Sequence, residues 1–396
     1  MSLKRCINID DLERLASRRL PAPVLGYLNG AADDEVTRRR NCASFDDYQL
    51  VPRYLVDVDT VDLSTTILGQ RIALPLISAP TGFPRLFHSE GERAVATAVA
   101  EADTIYTLST VSTFSIEDVA AFCDGPKWFQ IYSLRDRALT GEFIERCRET
   151  GYHALVLTVD VPVAGNRERD HRTGLSLPPK LTLRSMLDIA RRPRWVWQHL
   201  TTPRMQLANM VGRVSEANET DTTLIDFINN QFVRTVTWDD AAWIVERWGG
   251  PFLIKGILST DDALRARDIG ASGVILSNHG GRQLDSAPSA LDMLPAVRDA
   301  VGDDMTLVCD GGIRRGTDVL KALALGADAC MTGRPFLWGL AAAGVDGVRR
   351  TLEILRAELE RDMMLLGCRS IKEVTADYVQ RVGQPPSRGP VTDPRS

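Results

Sequence analysis

From about residue 72 onward, short apolar runs rich in β-branched residues alternate with longer amphipathic stretches. Such runs are typical of buried strands, and the longer stretches often begin with Ser or Thr and an acidic residue, as helices do. Eight runs fit this description, at 72–80, 104–110, 128–132, 154–160, 251–256, 273–278, 306–310 and 329–333. The alternation predicts an α/β fold of eight strand–helix units closed into a parallel (β/α)8 TIM barrel. An open doubly wound sheet is the disfavoured alternative, because no G-x-G-x-x-G follows the first run.

Segments outside this alternation define the domain organisation. Residues 1–70 are predicted to form a helical N-terminal extension that packs on the barrel of residues 71–380, and residues 381–396 a flexible C-terminal tail. Residues 171–235, after the fourth strand, are too many for an ordinary connection. They are predicted to be a functional insertion or a lid.

Composition narrows the class of protein. Apolar residues make up 44% and charged residues 25%, as in ordinary globular proteins, and the net charge of −5 argues against general nucleic-acid binding. The seven cysteines form no C-x-x-C pair, so we expect no metal site and a reducing compartment. The first 20 residues contain no apolar run, so we expect a cytoplasmic protein, at most peripheral to a membrane.

Polar residues follow the apolar bodies of all eight predicted strands. In a (β/α)8 barrel these ends meet at one mouth, where the chemistry takes place. The segments DGGIRRGTDV and MTGRPF follow the seventh and eighth strands and supply glycines together with Arg314 and Arg334. Glycines let backbone N–H groups approach an anion, and arginines add charged donors. These two segments predict a phosphate site, and the size of the mouth suggests that the phosphate belongs to a cofactor.

The stretch GVILSNHGGRQLD (273–285) changes from a buried strand to polar residues within two positions. It delivers His279 and Arg282 to the mouth, with Gly280 and Gly281 between them permitting an unusual turn. A histidine is suited to proton abstraction near neutral pH, and a guanidinium fork to a carboxylate. For an isolated pair, a hydrogen-bonded loop histidine and a surface ion pair would be favoured instead. At the mouth of a barrel, the pair predicts a site for an acid substrate.

Several motifs together resemble the FMN-dependent α-hydroxy acid dehydrogenases and oxidases, which include glycolate oxidase, L-lactate dehydrogenase and mandelate dehydrogenase. They are SNHGGRQLD, DGGIRRGTDVLKALALGA, TGRPF, FQIY, LTVD and LIKG. The resemblance extends from YLNGAADDE near the N-terminus to GCRSIKEV near residue 373. It implies FMN as cofactor and oxidation of an L-2-hydroxy acid to the 2-oxo acid, in a homotetramer.

The resemblance also implies roles for individual residues. His279 would be the base, Asp160 would stabilise its protonated form, and Lys255 would lie where the reduced flavin accumulates negative charge. The residues implied in catalysis are His279, Asp160, Tyr132 and Lys255. Those implied to bind substrate are Tyr27, Tyr132, Arg167, His279, Arg282 and Val111. Those implied to bind FMN are Ala79, Pro80, Thr81, Ser109, Gln130, Thr158, Lys255, Ser277, Asp310, Gly312, Arg314, Gly333 and Arg334.

One departure from the glycolate-oxidase pattern bears on the substrate. Val111, in LSTV, stands where those members carry tryptophan, and this resembles the bacterial quinone-linked L-lactate dehydrogenases. We therefore expect L-lactate as substrate and a quinone as electron acceptor. An oxidase that uses O2 and a dehydrogenase for mandelate or another aromatic acid remain open. From another class, a non-redox phosphate-binding isomerase or lyase would use Lys255 as a Schiff-base lysine.

A second departure lies in the insertion. Residues 180–213 contain seven Lys and Arg against one acid, Asp188, together with Trp195 and Trp197. A basic, tryptophan-containing segment in an acidic protein is typical of contact with an anionic membrane surface. The alternative is a solvated lid whose tryptophans pack on the barrel.

Overall fold

Eight parallel strands close into one barrel in a computed structural model of the chain, which describes residues 2–132, 137–174, 183–210 and 235–384. Around the barrel the strands follow chain order, so each pairs with its sequence neighbours and the last closes on the first. They are β4 (Leu76–Ser78), β5 (Tyr106–Ser109), β6 (Lys127–Tyr132), β7 (Ala154–Thr158), β8 (Phe252–Ile257), β9 (Gly273–Leu276), β10 (Thr306–Asp310) and β11 (Ala329–Thr332). The predicted (β/α)8 barrel is confirmed.

The strands are buried on both faces, which is why their sequences are continuously apolar rather than alternating. Side chains such as Trp128, Val156 and Leu253 fill the inside of the barrel, and their strand neighbours pack outward against the helices. The surrounding helices are α4 (Gly91–Glu101), α5 (Ile116–Phe122), α6 (Arg137–Glu149), α10 (Trp238–Trp248), α11 (Thr260–Asp268), α12 (Ala290–Val301), α13 (Gly316–Ala324), α14 (Arg334–Ala343) and α15 (Val345–Leu366). A filled interior leaves the carboxyl-terminal mouth as the place for a ligand.

The N-terminal extension contains helices and strands. Its elements are α1 (Ile9–Arg19), α2 (Ala22–Asn29), α3 (Val36–Ala43), β1 (Tyr48–Leu50), β2 (Thr65–Ile67) and β3 (Gln70–Ile72). β1 pairs antiparallel with β12 (Val379–Arg381), so β-structure extends to residue 381, where the flexible tail was predicted to begin. Residues 385–396 of that predicted tail lie outside the described residues.

The described part of the insertion is helical: α7 (Glu168–Thr173), α8 (Leu183–Ala190) and α9 (Pro193–Thr201). Residues 175–182 and 211–234 lie outside the described residues. Trp195 is half-buried and donates its indole N–H to the backbone oxygen of Leu86 at 3.0 Å, whereas Trp197 is 69% exposed. Of the two tryptophans that the lid alternative expects to pack on the barrel, Trp195 does so and Trp197 does not. No helix in the described ranges combines the length and apolar character needed to cross a membrane.

Candidate active site

A deep cleft opens at the carboxyl ends of the strands and encloses about 1540 Å³, counting the solvent at its mouth. Sixteen of the residues expected from the sequence line it: Tyr27, Ala79, Pro80, Thr81, Val111, Tyr132, Thr158, Arg167, Lys255, His279, Arg282, Asp310, Gly312, Arg314, Gly333 and Arg334. The other four lie one layer behind: Ser109, Asp160 and Ser277 bond to the lining residues Val111, His279 and Lys255, and Gln130 bonds to Ser109.

His279 enters the cleft from a left-handed turn directly after β9. The φ angles of His279, Gly280 and Gly281 are 58°, 66° and 76°, a region that non-glycine residues rarely adopt. A Cβ on Gly281 would lie 2.6 Å from the backbone nitrogen of Arg38, and one on Gly280 would lie 2.9 Å from Arg334 Nη1. Both positions therefore require glycine, while the strain at His279 is typical of a functional site.

The imidazole of His279 is held by a carboxylate. Its Nδ1 lies 2.9 Å from Asp160 Oδ1, and the Asp160 side chain is only 11% exposed. Burial alone would raise the pKa of Asp160, but the charge and hydrogen bond of His279 hold that pKa below its ordinary value. Gln283 secures the strand end by donating to the backbone oxygens of Asp160 and Val163 at 3.0 and 2.9 Å. An ionised, fixed Asp160 leaves the Nε2 side of the imidazole to face a substrate.

Two guanidiniums from different elements meet beside His279. Arg282 Nη1 donates to the backbone oxygens of Tyr27 and Gly30 at 2.7 and 3.0 Å, which places it under the end of α2. Arg167, at the start of α7, approaches Asp170 Oδ2 at 3.3 Å. Burial and the neighbouring charge of Arg167 lower the pKa of Arg282. Two adjacent cations in a partly buried cleft make a strong site for a carboxylate.

Two tyrosines lie with these arginines. Both Arg282 and Arg167 pack over the ring of Tyr27, with their guanidinium carbons 4.8 and 5.8 Å from its centroid. Burial and the nearby carboxylate of Asp160 raise the pKa of Tyr132 well above its usual range. Tyr132 therefore keeps its phenolic proton across the physiological range and acts as a hydrogen-bond donor.

A buried lysine occupies the opposite side of the cleft. Lys255 Nζ donates to Asp310 Oδ2 at 2.5 Å and to Ser277 Oγ at 2.7 Å, and Ser277 Oγ donates to the same carboxylate oxygen at 2.7 Å. Lys255 is 4% exposed and Asp310 6% exposed. The charge pair fixes the ammonium at the ends of β8, β9 and β10, facing the cleft.

Two buried polar atoms without partners in the described part of the chain lie at the cleft, one on a lining residue and one in the layer behind it. Gln130 Oε1 accepts from Ser109 Oγ at 3.1 Å, which turns Gln130 Nε2 into a position where no described atom accepts its hydrogens. Thr158 Oγ1 is likewise buried without a partner among the described residues. Buried groups are ordinarily hydrogen-bonded, so such atoms indicate a ligand with complementary polar groups. The heteroatom-rich edge of an isoalloxazine ring fits this donor set.

The loops after β10 and β11 supply the remaining cations. Asp318 Oδ2 accepts from the backbone N–H groups of Arg314 and Arg315 at 2.9 and 3.0 Å, which fixes the first loop. Arg334 donates to the backbone oxygens of Leu28, Gly280 and Gly30 at 3.1, 2.9 and 2.9 Å. These guanidiniums line the same end of the cleft, as a phosphate-bearing cofactor requires.

The required glycine at position 312 has a structural cause. A Cβ there would lie 1.9 Å from the backbone oxygen of Asn41, in α3. The close approach of α3 is enough to require glycine at this position. The glycine that was expected from the sequence to serve the phosphate therefore also has a packing role.

Sequence reasoning assigned no role to Asp170, Gln283 or most of the apolar side of the cleft. Asp170 is 14% exposed, and burial raises its pKa although Arg167 and Arg282 pull it down. Its place in the GNRERD motif was the only available signal. The apolar wall consists of Leu28, Phe83, Leu86, Phe87, Val161, Ala164 and Leu337. Most of these residues lie in connecting segments, which have no periodicity by which a sequence could assign them to a cleft.

Comparisons with known proteins identify relatives over nearly the whole chain. Residues 16–381 match the family described as FMN-dependent dehydrogenase. The chain is 41% identical to an L-lactate oxidase of Nostoc over 377 residues, covering 94% of this chain and 98% of that protein. It is also 41% identical to an L-lactate dehydrogenase of Pectobacterium atrosepticum over 377 residues, covering 94% and 97%.

Among solved structures, one neighbour is a monotopic membrane protein, (S)-mandelate dehydrogenase. It is 38% identical, with a TM-score of 0.90, and the match covers 95% of this chain and 100% of that one. The chain is therefore similar in sequence to enzymes named for lactate, and in sequence and structure to one named for mandelate.

Proposed function

Because this chain belongs to the FMN-dependent 2-hydroxy acid dehydrogenases and oxidases, we propose that it oxidises L-lactate to pyruvate and passes the electrons to a quinone. The observation that carries this proposal is the His279–Asp160 pair at 2.9 Å, in one cleft with Arg167 and Arg282. A base beside a carboxylate site is what removal of hydrogen from a 2-hydroxy acid needs.

The arginines orient the substrate. Its carboxylate would bind between Arg282 and Arg167, where it relieves the repulsion that lowers the pKa of Arg282. Tyr27 and Tyr132 would donate to the carboxylate and to the reacting oxygen. Asp170 would release Arg167 to the incoming carboxylate, since the two anions compete for the same guanidinium.

His279 moves the proton. Its Nε2 would accept the proton that the substrate loses, and the ionised Asp160 on Nδ1 would stabilise the imidazolium that forms. Tyr132, kept protonated by burial, would donate to the substrate oxygen while the carbonyl develops. The apolar wall would exclude water from these groups.

The unpartnered polar atoms and the two glycine–arginine loops fit FMN, which when bound supplies the acceptor for the two electrons. Gln130 and Thr158 would hold the polar edge of the ring, with Ser109, Ser277 and Asp310 behind them. Lys255, fixed by Asp310, would supply positive charge to the same edge. Arg314 and Arg334 would hold the phosphate, with Gly312 and Gly333 beside them, while Ala79, Pro80 and Thr81 would line the ring.

Mandelate is a second candidate substrate, favoured by the apolar wall. Val111 leaves space beside Phe83, Leu86 and Phe87, and these surfaces suit a phenyl group as well as a methyl group. An apolar pocket discriminates weakly between such groups. The neighbour with a TM-score of 0.90 is a mandelate enzyme.

Membrane contact through residues 180–213 would bring the enzyme to a quinone. Trp197, Leu200 and Leu187 are 69%, 78% and 63% exposed on α8 and α9, among the basic residues of this segment. An apolar face beside positive charge binds anionic lipid surfaces. We place the protein in the cytoplasm, at the inner face of the cell membrane. Sedimentation with anionic vesicles should be lost when Trp197 and Leu200 are replaced by serine; equal sedimentation of both forms would contradict the contact.

We also propose a homotetramer. Tyr54, Leu55 and Leu365 are 79%, 107% and 67% exposed, and the bond from the backbone nitrogen of Arg53 to the oxygen of Leu366 brings the two segments together. An apolar surface of this kind favours association between copies. Light scattering of the purified protein measures the mass directly, and a monomer would contradict the proposal.

Anaerobic reduction tests the proposed function as a whole. The purified protein should be yellow, and L-lactate should bleach it in the absence of air. A panel with glycolate and (S)-mandelate ranks the substrates, and subsequent mixing with a quinone or with air separates a dehydrogenase from an oxidase. A colourless protein that rejects FMN would instead favour the non-redox isomerase or lyase, with Lys255 as the reacting amine.

A further inference from the structure

A second basic cleft lies between α1 and the turn that joins α8 to α9, and Phe87 separates it from the active-site cleft by lining both. Among the described residues that line it are five arginines, one histidine and no carboxylate: Arg18, Arg19, Arg191, Arg192, Arg194 and His88. Leu20, Phe87, Pro193, Trp195, Gln198 and Ala341 complete its walls. Neither the reaction nor the flavin site uses any of these arginines.

One of the five arginines holds the cleft together. Arg192 Nη1 donates to the backbone oxygen of Arg18 at 2.8 Å, and its Nε donates to that of Leu20 at 3.1 Å. These bonds fasten the insertion to the carboxyl end of α1. On the other wall, Gln198 Nε2 and His88 Nε2 lie 2.8 Å apart, which fixes α9 to the loop before α4. The cleft is therefore built by side chains of three separate segments.

The other arginines face the cleft without a counter-ion. Arg19 and Arg194 form no ion pair with any carboxylate in the described part of the chain, and burial together with the charge of Arg194 lowers the pKa of Arg19. Two carboxylates of adjoining elements do not pair with these arginines. Asp188 accepts from the backbone nitrogen of Ala22 at 2.5 Å, and Glu90 accepts from that of Val345 at 2.8 Å, while Glu90 Oε2 also lies 3.9 Å from Nδ1 of His88 in the cleft wall. Like charges that are held together in this way favour an anion between them.

The helix that follows adds to the attraction. α9 begins at Pro193, which has no N–H, and no side chain caps its amino end. The amino end of a helix carries partial positive charge and favours anions. Guanidinium forks bind phosphate oxygens in pairs, and several forks around one cleft suit a doubly charged group. We propose that this cleft is a binding site for a phosphate group, held chiefly by Arg19 and Arg194.

Inorganic phosphate is the first probe. It is titrated calorimetrically into the FMN-loaded enzyme, in which the phosphate site of the cofactor is already filled. The double variant Arg19→Ala/Arg194→Ala should bind phosphate at least about tenfold more weakly. Arg204→Ala removes a positive charge from the same insertion outside the cleft and should leave phosphate affinity unchanged. Two calorimetric results count against the site: phosphate binding that does not saturate, and an equal loss of affinity in the double variant and in Arg204→Ala. Either result overturns the site unless the vesicle binding described next depends on Arg19 and Arg194.

Vesicles identify the source of the phosphate. Sedimentation compares phosphatidylglycerol with phosphatidylcholine vesicles, with and without added glycerol phosphate. If only the binding of phosphatidylglycerol vesicles depends on Arg19 and Arg194, the ligand is a lipid headgroup. If only the binding of soluble phosphate depends on them, the ligand is a free phosphate compound. Either result supports the site. Dependence in neither assay overturns it.

A charge-reversal variant tests whether lost phosphate binding could result from misfolding. Arg194→Glu should pair with Arg19 internally, so its melting temperature without phosphate should equal or exceed that of the wild type. The rise in melting temperature that phosphate gives the wild type should disappear. A variant that keeps the full rise would overturn the site. Flavin content and lactate-dependent bleaching of all the variants report separately on the proposed enzymatic function.

Discussion

Replacing Asp160 by asparagine tests the proposed base without changing the shape of the cleft. Asp160 Oδ1 and His279 Nδ1 are 2.9 Å apart, and a full charge pair at that distance interacts by about 6 kcal/mol at an effective dielectric constant of about 20. The imidazole is 27% exposed, and the amide retains a neutral hydrogen bond, so we expect about half of that energy to be lost. Losing about 3 kcal/mol of transition-state stabilisation should make the reduction of the flavin by substrate about 100-fold slower.

Stopped-flow measurement of flavin bleaching under anaerobic conditions gives this rate directly. Substrate affinity should change little, because the carboxylate is held by Arg282 and Arg167. Asp170→Asn is a matched control: it neutralises another buried carboxylate near the site, one that forms an ion pair with Arg167 rather than with His279. It should alter KM and leave the maximal rate within a few-fold.

Two results would refute the assignment of His279 as the base. One is a maximal bleaching rate in Asp160→Asn within about threefold of the wild type. The other is an equal fall in Asp160→Asn and Asp170→Asn, which would show that any charge in the cleft has the same effect. Flavin content and melting temperature exclude a folding defect in either variant.

Three further variants test separate parts of the structure. Arg282→Lys should raise KM about tenfold or more in steady-state assays, because an ammonium cannot form the two-pronged contact. Gln130→Glu should weaken FMN binding about tenfold in fluorescence titrations, because it removes the unpartnered Nε2 donor. Arg146 lowers the pKa of Glu117 to about 2, so the pair stabilises the fold above pH 4.5 and loses this effect towards pH 2. Since Glu117 is 49% exposed, Glu117→Gln should cost only about 1 kcal/mol of unfolding free energy at pH 7 and almost nothing near pH 2, measured in urea. Each expectation would be contradicted if its variant behaved like the wild type: an unchanged KM for Arg282→Lys, an unchanged FMN affinity for Gln130→Glu, or a loss of stability in Glu117→Gln that does not depend on pH.

The barrel could be predicted because its strands are buried on both faces and its helices begin with capping residues. Ser115, Thr237 and Ser289 each accept from the backbone of an aspartate three positions later, and both residues of each motif are visible in the sequence. The pairing of β1 with β12 could not be predicted. Each has three residues, too few for any periodicity, and the paired residues Leu50 and Val379 are 329 positions apart along the chain.

The candidate site was predictable where function requires particular residues at strand ends. His279 follows an apolar strand, Lys255 and Asp310 lie in the last residues of two others, and the barrel brings such ends together. Their mutual contacts were not predictable, because a distance such as the 2.5 Å between Lys255 and Asp310 depends on the register of three strands. Asp170 was missed for a related reason, since its burial depends on how α7 packs under α2.

The charges of the cleft explain why cofactor and substrate suit it together. Each carboxylate near the reacting groups has a partner: Asp160 pairs with His279, Asp310 with Lys255 and Asp170 with Arg167. Three guanidiniums remain, on Arg282, Arg314 and Arg334, and within the described ranges they form no ion pair and donate to backbone oxygens. Burial and the charges of Arg282 and Arg314 lower the pKa of Arg334, so the three repel one another. A phosphate dianion and a single carboxylate carry the compensating charge, which is the combination that FMN and a 2-hydroxy acid supply.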